Sequence, residues 1–117
     1  MEEREKNEIA MQSKAYQDIF NTYHELRGRI FAINNNSENK IKGAFNRAMG
    51  VFSGVSDMCF ILSNGRTAWI EWKTETGRQS AGQVQWQKTI ESLGHSYYIV
   101  RSEDQFKELI LRLSSNK

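Results

Sequence analysis

Two β-rich runs, SDMCFIL over residues 56–62 and RTAWIEWKT over 66–74, flank Asn64-Gly65, and this arrangement commits the middle of the chain to an antiparallel hairpin. Its register decides what the hairpin can do. A two-residue type I′ turn sets Ser63 opposite Arg66 and Asp57 opposite Trp72, which throws Asp57 and Glu71 onto opposite faces. A three-residue loop, Ser63-Asn64-Gly65 with Gly65 left-handed in a G1 bulge, instead pairs Leu62 with Arg66, Phe60 with Ala68 and Met58 with Ile70. The apolar pattern selects the second register, because Met58, Phe60, Leu62, Ala68, Ile70 and Trp72 then share one face. Asp57 faces Glu71 across the other face, with Cys59, Ile61, Trp69 and Lys73 beside them. A bulge elsewhere would give the same facing.

The rest of the chain supplies helices and two further strands. From Asn7 to Arg27, Ile9, Tyr16, Ile19, Phe20, Tyr23 and Leu26 recur at helical spacing, and Gly28 follows as a C-terminal cap, which predicts one long amphipathic helix. Arg29 to Ile33 reads as a strand running into Asn34-Asn35-Asn36, and the segment from about Asn35 to Ser53 reads as a loop. Ser80 and Gln83 have capping-box spacing ahead of Trp86, Ile90 and Leu93, with Gly94 closing the helix. His95 to Arg101 reads as a strand, and Ser102 with Gln105 opens a last helix carrying Phe106, Leu109, Ile110 and Leu113. The expected order is α-β-β-β-α-β-α, a mixed α/β fold in one domain over 1–117.

Composition narrows the setting. Lys+Arg 16 against Asp+Glu 14 gives a net +2, which neither demands nor excludes a polyanionic partner. Local charge says more: Arg27, Arg29, Lys40, Lys42 and Arg47 face only Glu38 across that stretch. Cys59, the single cysteine, permits no disulfide framework, and the acidic start lacks an apolar leader, so a cytoplasmic, intracellular setting without membrane spanning is expected.

Two carboxylates about 4 Å apart repel by roughly 4 kcal/mol at an effective dielectric near 20. Something positive must offset that: a shared proton, the Lys73 ammonium, or a divalent cation such as Mg²⁺ with its preference for carboxylate, carbonyl and water oxygens. A metal held by Asp57 and Glu71, with Lys73 beside it, is a phosphodiester-hydrolysis constellation. The plainer reading is a solvated Glu71–Lys73 pair at a strand end with Asp57 as a turn residue.

Taken together, G-V-S-D at Gly54 to Asp57, I-E-W-K at Ile70 to Lys73, T-E-T-G-R at Thr74 to Arg78, S-A-G-Q-V-Q-W at Ser80 to Trp86, and Gly94, a strand and Arg101-Ser102 resemble the virus-type replication-repair nuclease (VRR-NUC) domain of the PD-(D/E)XK superfamily. The resemblance covers nearly the whole chain. It implies a restriction-endonuclease-like core, a central mixed sheet flanked by helices, and a Mg²⁺- or Mn²⁺-dependent, structure-selective DNA endonuclease acting on Holliday junctions, flaps or other branched DNA. Viral or phage replication and repair, in a bacterial or phage-infected cell, is the implied setting. Asp57 and Glu71 become the metal carboxylates, the Trp72 carbonyl a further ligand, Lys73 the catalytic lysine and Gln83 the glutamine near the active site. Glu8 and Gln12 match the family's Glu-x-x-x-Gln pair, with Glu8 in water-mediated reach of the metal.

Two positions depart from the pattern: Ser56 precedes Asp57 where the superfamily name has proline, and Ile33-Asn34-Asn35 stands where the family more often has proline-asparagine. Arg78 is placed to touch a phosphate beside the site, Lys40, Lys42 and Arg47 to track the backbone at its rim, and Asn34 to face DNA. A solvated loop is the plainer reading of these. So small a chain offers little footprint for a junction, so a homodimer is expected to supply the surface and the second site. The alternative function is a non-catalytic DNA-binding module that retains the fold. His24, His95 and Cys59 lack ligand spacing and read as structural or surface residues, and Trp69 as a residue packed on a helix.

Overall fold

The computed structural model describes residues 2–34 and 40–115, with the side chains of Lys40 and Ile41 outside that description. Helix α1 (Glu3–Thr22) leads through a 3-10 turn (His24–Leu26) to strand β1 (Ile30–Ala32). Helix α2 (Lys40–Ala48) precedes the hairpin strands β2 (Met58–Ile61) and β3 (Thr67–Trp72), and α3 (Ala81–Ser92), β4 (Ser96–Val100) and α4 (Glu103–Ser115) complete the chain. The described strands form one sheet in the order β1-β2-β3-β4, antiparallel through β3 and parallel between β3 and β4, with α3 as the crossover. This is a mixed sheet flanked by helices, as expected. Among the described residues no helix is long and apolar enough to cross a membrane.

The hairpin adopts the three-residue register: Met58 pairs with Ile70, Phe60 with Ala68, and the Leu62 N–H donates to the Arg66 carbonyl at 2.9 Å. Asn64 (φ 63) and Gly65 (φ 73) are both left-handed, so the loop uses the asparagine as well as the glycine. Asn tolerates that region better than other residues bearing a Cβ, and Gly enters it without penalty.

Two expectations need correction. The first helix starts earlier, at Glu3, where Glu3 and Glu5 complement the helix dipole, and stops at Thr22 rather than running to Arg27. Tyr23 leaves helical geometry, and the Arg27 side chain turns back to donate from Nε to the Phe20 carbonyl at 2.9 Å while its guanidinium lies 4.0 Å from the centre of the Phe20 ring. Gly28 (φ 82) therefore serves the turn into β1, not the end of α1. The segment read as a loop contains α2, an additional short helix; residues 35–39 of that reading lie outside the described residues. Its end is a Schellman motif, in which the Val51 N–H donates to Asn46 and the Gly50 N–H to Arg47, and Gly50 takes φ 100.

The core lies between the α1/α4 layer and the apolar face of the hairpin. Met58, Phe60, Ala68, Ile70 and Trp72 meet Ala15, Ile19, Phe106, Leu109 and Ile110, all buried. The Trp72 and Phe106 rings sit 5.1 Å apart, and the Trp72 indole N–H donates to Met58 Sδ at 3.4 Å. On the other face Trp69 packs edge-on against Trp86 of α3 at 5.4 Å, which makes it a packing residue. The final capping box closes more widely than expected, since the Gln105 side chain accepts from the Arg101 N–H, at 2.7 Å, while Ser102 Oγ accepts from the Gln105 N–H.

Candidate active site

The three-residue register carries Asp57 and Glu71 to the same side of the sheet, at the end where β2 begins and β3 finishes. Asp57 is fixed by its backbone and its side chain together. Its carbonyl accepts from the Ile33 N–H at 2.8 Å, and its Oδ2 accepts from the Trp72 N–H at 2.7 Å, so it joins the edges of three strands. Ser56, in the position the superfamily name gives to proline, is fully buried, and its hydroxyl donates to the Met58 carbonyl at 3.1 Å. That bond holds the turn in which Asp57 sits.

Glu71 and Lys73 follow at alternate positions of β3 and its extension, and both are buried, at 2% and 7% exposure. Lys73 Nζ lies 4.0 Å from Glu71 Oε2, and the same oxygen accepts from Gln83 Nε2 at 3.1 Å. Gln83 is oriented by the capping box of α3: its Oε1 accepts from the Ser80 N–H at 2.8 Å, and its own N–H donates to Ser80 Oγ at 3.2 Å. With the amide oxygen committed to the helix end, only the nitrogen is left to turn toward Glu71. Gly54 permits the close fit of the two segments, because a Cβ there would meet the Gly82 carbonyl oxygen at 2.8 Å.

Glu8 reaches the same cluster from α1, where its carboxylate accepts from the Thr74 N–H and feels the charges of Lys73 and Asp57. The structure thus brings Glu8, Asp57, Glu71, Lys73 and Gln83 together. Three carboxylates against one ammonium leave the cluster short of positive charge. Burial pushes the Glu71 carboxyl up to about 9, with the charge of Asp57 the next cause and Lys73 opposing. Burial likewise raises Asp57 and Glu8 above the usual carboxylate range.

Two oxygens of the cluster, Glu71 Oε1 and Glu8 Oε2, are buried without a conventional donor, although the Glu71 carboxyl, when protonated, hydrogen-bonds to Asp57. Leaving a buried polar atom unsatisfied costs about 1–3 kcal/mol each. Unsatisfied carboxylate oxygens beside an electron-rich pair are the donor set a hard divalent cation takes, so the residues present fit such an ion. Among the described residues no three His, Cys, Asp or Glu side chains are grouped so that they could hold a metal ion by themselves. An ion here would complete its coordination with backbone carbonyl and water, which suits Mg²⁺.

Two residues beyond the expected set shape the site. The Arg101 guanidinium donates to the carbonyls of Thr74 and Gly77, both at 2.8 Å, and of Glu75 at 3.3 Å, pinning the loop that follows Lys73. Tyr97 of β4 accepts from Gln79 Nε2 at 3.2 Å, and its hydroxyl is pushed upward by burial first and by the Glu71 charge next. Nothing in local spacing marks Tyr97, whose nearness to Glu71 depends on the parallel pairing of β3 and β4. The nucleic-acid candidates are not gathered in the cluster: Asn34 follows β1, Lys42 and Arg47 lie on α2 and Arg78 in the loop after Lys73, all exposed. The Lys40 side chain lies outside the described residues. His24 and His95 are exposed, and Cys59 is buried with its thiol pushed up by burial.

Compared with protein-family models and with curated proteins, the sequence matches none. Among solved structures, the fold is similar to a "VRR_NUC domain protein" with a TM-score of 0.74 and 16% identity, over 91% of this chain and 86% of that one. The two share a fold.

Proposed function

We propose that the protein is a metal-dependent DNA endonuclease of the VRR-NUC kind, selective for branched substrates such as four-way junctions and flaps. The observation that carries this reading is the cluster of buried Glu71 and Lys73 with half-buried Glu8 and Asp57, in which two carboxylate oxygens lack a conventional donor. Asp57, Glu71 and the Trp72 carbonyl would hold a Mg²⁺ or Mn²⁺ ion, with Glu8 reaching it through water. When bound, the ion supplies Lewis acidity toward a phosphoryl oxygen and toward attacking water.

The chain's own residues supply the rest. Gln83 holds one oxygen of the Glu71 carboxyl, leaving the other to serve as a ligand once the carboxyl gives up its proton. Asp57, held by two backbone bonds, needs no reorganisation when substrate arrives. Lys73, buried yet within 4.0 Å of Glu71, presents its ammonium to orient water and offset charge on the transferring phosphoryl group. Arg78, exposed in the neighbouring loop, contacts a flanking phosphate, and Asn34, Lys40, Lys42 and Arg47 extend the track. A symmetric pair of chains brings one site to each strand of a junction. The cellular setting is intracellular, in viral or phage replication and repair.

Incubating duplex, flap and four-way-junction DNA with Mg²⁺ or Mn²⁺, beside EDTA controls, tests the reading. The wild type cuts branched DNA only with metal. Lys73→Ala lowers cutting at least about a hundredfold, the low end for loss of a group assisting proton transfer, while affinity in EDTA changes little. Binding that never leads to cutting under any metal would make the protein a DNA-binding module instead.

A further inference from the structure

Helix α2 and the capped turn that follows it expose three large apolar side chains, Phe45 (64%), Met49 (68%) and Phe52 (65%). Isolated exposed apolar residues are ordinary; three within eight positions are not. The Met49 N–H donates to the Phe45 carbonyl at 3.1 Å, so these two side chains stand one turn apart on one face, and the Schellman bonds to Gly50 and Val51 turn the chain on toward Phe52. The group is held by backbone geometry.

From Asn39 to Ser56 the chain contains no acidic residue, while Lys40, Lys42 and Arg47 lie in α2 itself. The patch is therefore apolar and cationic together. It also stands next to the candidate site. Phe52 precedes Gly54 by two residues, a span of at most about 7 Å, and Gly54 lies against the Gly82 carbonyl in the first turn of α3, beside Gln83.

We infer that Phe45, Met49 and Phe52 form an apolar wedge that stacks on unpaired bases at the branch point of a DNA substrate while the neighbouring cations hold its phosphates. The inference rests on the nuclease reading and adds how a branch is told from a duplex. Within a continuous duplex the base faces are hidden in the stack; at a junction, flap or fork they are exposed, and aromatic side chains bind them irrespective of sequence. A second copy of the chain fits the patch less well. A Phe or Met side chain exposed to about two-thirds contributes on the order of 100–150 Å², so the three give roughly half of the ~800 Å² per partner of a stable interface. A two-fold contact would also set like charges against each other with no acid in the segment to neutralise them.

The test uses the full chain carrying Lys73→Ala, so that binding is read without cutting, with and without Phe45→Ala/Phe52→Ala. Affinities for a four-way junction, a fork and a fully paired duplex are compared, with 2-aminopurine placed at the branch. The expected result is loss of branch over duplex preference by at least about fivefold, the low end of one base–aromatic stack, with duplex affinity nearly unchanged and the branch-point fluorescence response abolished. Phe45→Tyr/Phe52→Trp retains both. An unchanged preference overturns the wedge, and so does a drop from dimer to monomer in sedimentation with affinity lost equally on all three DNAs. Branch-selective binding by a protein that never cuts would refute the nuclease reading and leave the wedge standing.

Discussion

Replacing Glu71 by glutamine keeps the side chain's shape and removes its titration. In the folded protein the Glu71 carboxyl is pushed from an ordinary 4.5 up to about 9. The folded state thus holds this proton more tightly than the unfolded chain. The associated stability is complete below about pH 4.5 and is lost as pH rises through about 9. At 1.36 kcal/mol per unit the shift bounds the loss at about 6 kcal/mol. The roughly 4 kcal/mol repulsion of two carboxylates about 4 Å apart at an effective dielectric of 20 is of the same order. After relaxation and water entry a loss on the order of 3 kcal/mol is expected. For a domain of this size that is about 10 °C in Tm.

Thermal melts in EDTA between pH 5 and 9 measure it. The wild type loses about 10 °C more than Glu71→Gln across that range. Glu8, whose carboxyl is also raised, is present in both proteins, so the difference belongs to Glu71 and its pairing with Asp57. Mg²⁺ at about a hundred times its Kd restores roughly 2.7 kcal/mol to the wild type at pH 8 and little to the variant. Parallel melting curves in EDTA, or equal stabilisation of both proteins by Mg²⁺, would refute the electrostatic account of the cluster.

Other perturbations follow from the packing. Gln83→Ala removes one half of the α3 capping box and the donor to Glu71, so urea melts lose about 1 kcal/mol and metal-dependent cutting falls with it. Phe106→Ala empties the space against Trp72 and costs about 3–5 kcal/mol in the same assay. Arg101→Ala frees three carbonyls of the loop after Lys73; it lowers stability by about 2 kcal/mol, and hydrogen exchange rises in residues 74–79 while α1 and α4 keep their protection.

How much was legible in the sequence differs from element to element. The alternation of Met58, Phe60 and Leu62 against Ala68, Ile70 and Trp72 was enough to choose the hairpin register, because a slip by one residue would have turned every one of those side chains toward the wrong face. That choice alone placed Asp57 with Glu71. The Ser80–Gln83 spacing likewise predicted the capping box, since a cap is a local bond between residues three apart. Where α1 stops was not legible, because the stop depends on Arg27 reaching back to Phe20. The helix at Lys40–Ala48 was missed although its residues are strongly amphipathic, because it is short, basic and interrupted by Gly43, and its Phe45 stays exposed.

The sequence by itself determined the hairpin, the capping box of α3 and the facing of Asp57 and Glu71, because all of these are set by spacing along one or two neighbouring segments. Only the tertiary structure decided that Glu8 arrives from α1, that Gln83 turns its amide nitrogen to Glu71, that Arg101 pins the loop after Lys73 and that Tyr97 stands behind Glu71. These contacts join residues from 12 to 27 positions apart, and more in the case of Glu8. They form because the parallel β3–β4 pairing and the packing of α1 across the sheet close at one point, a condition no local pattern of residues records.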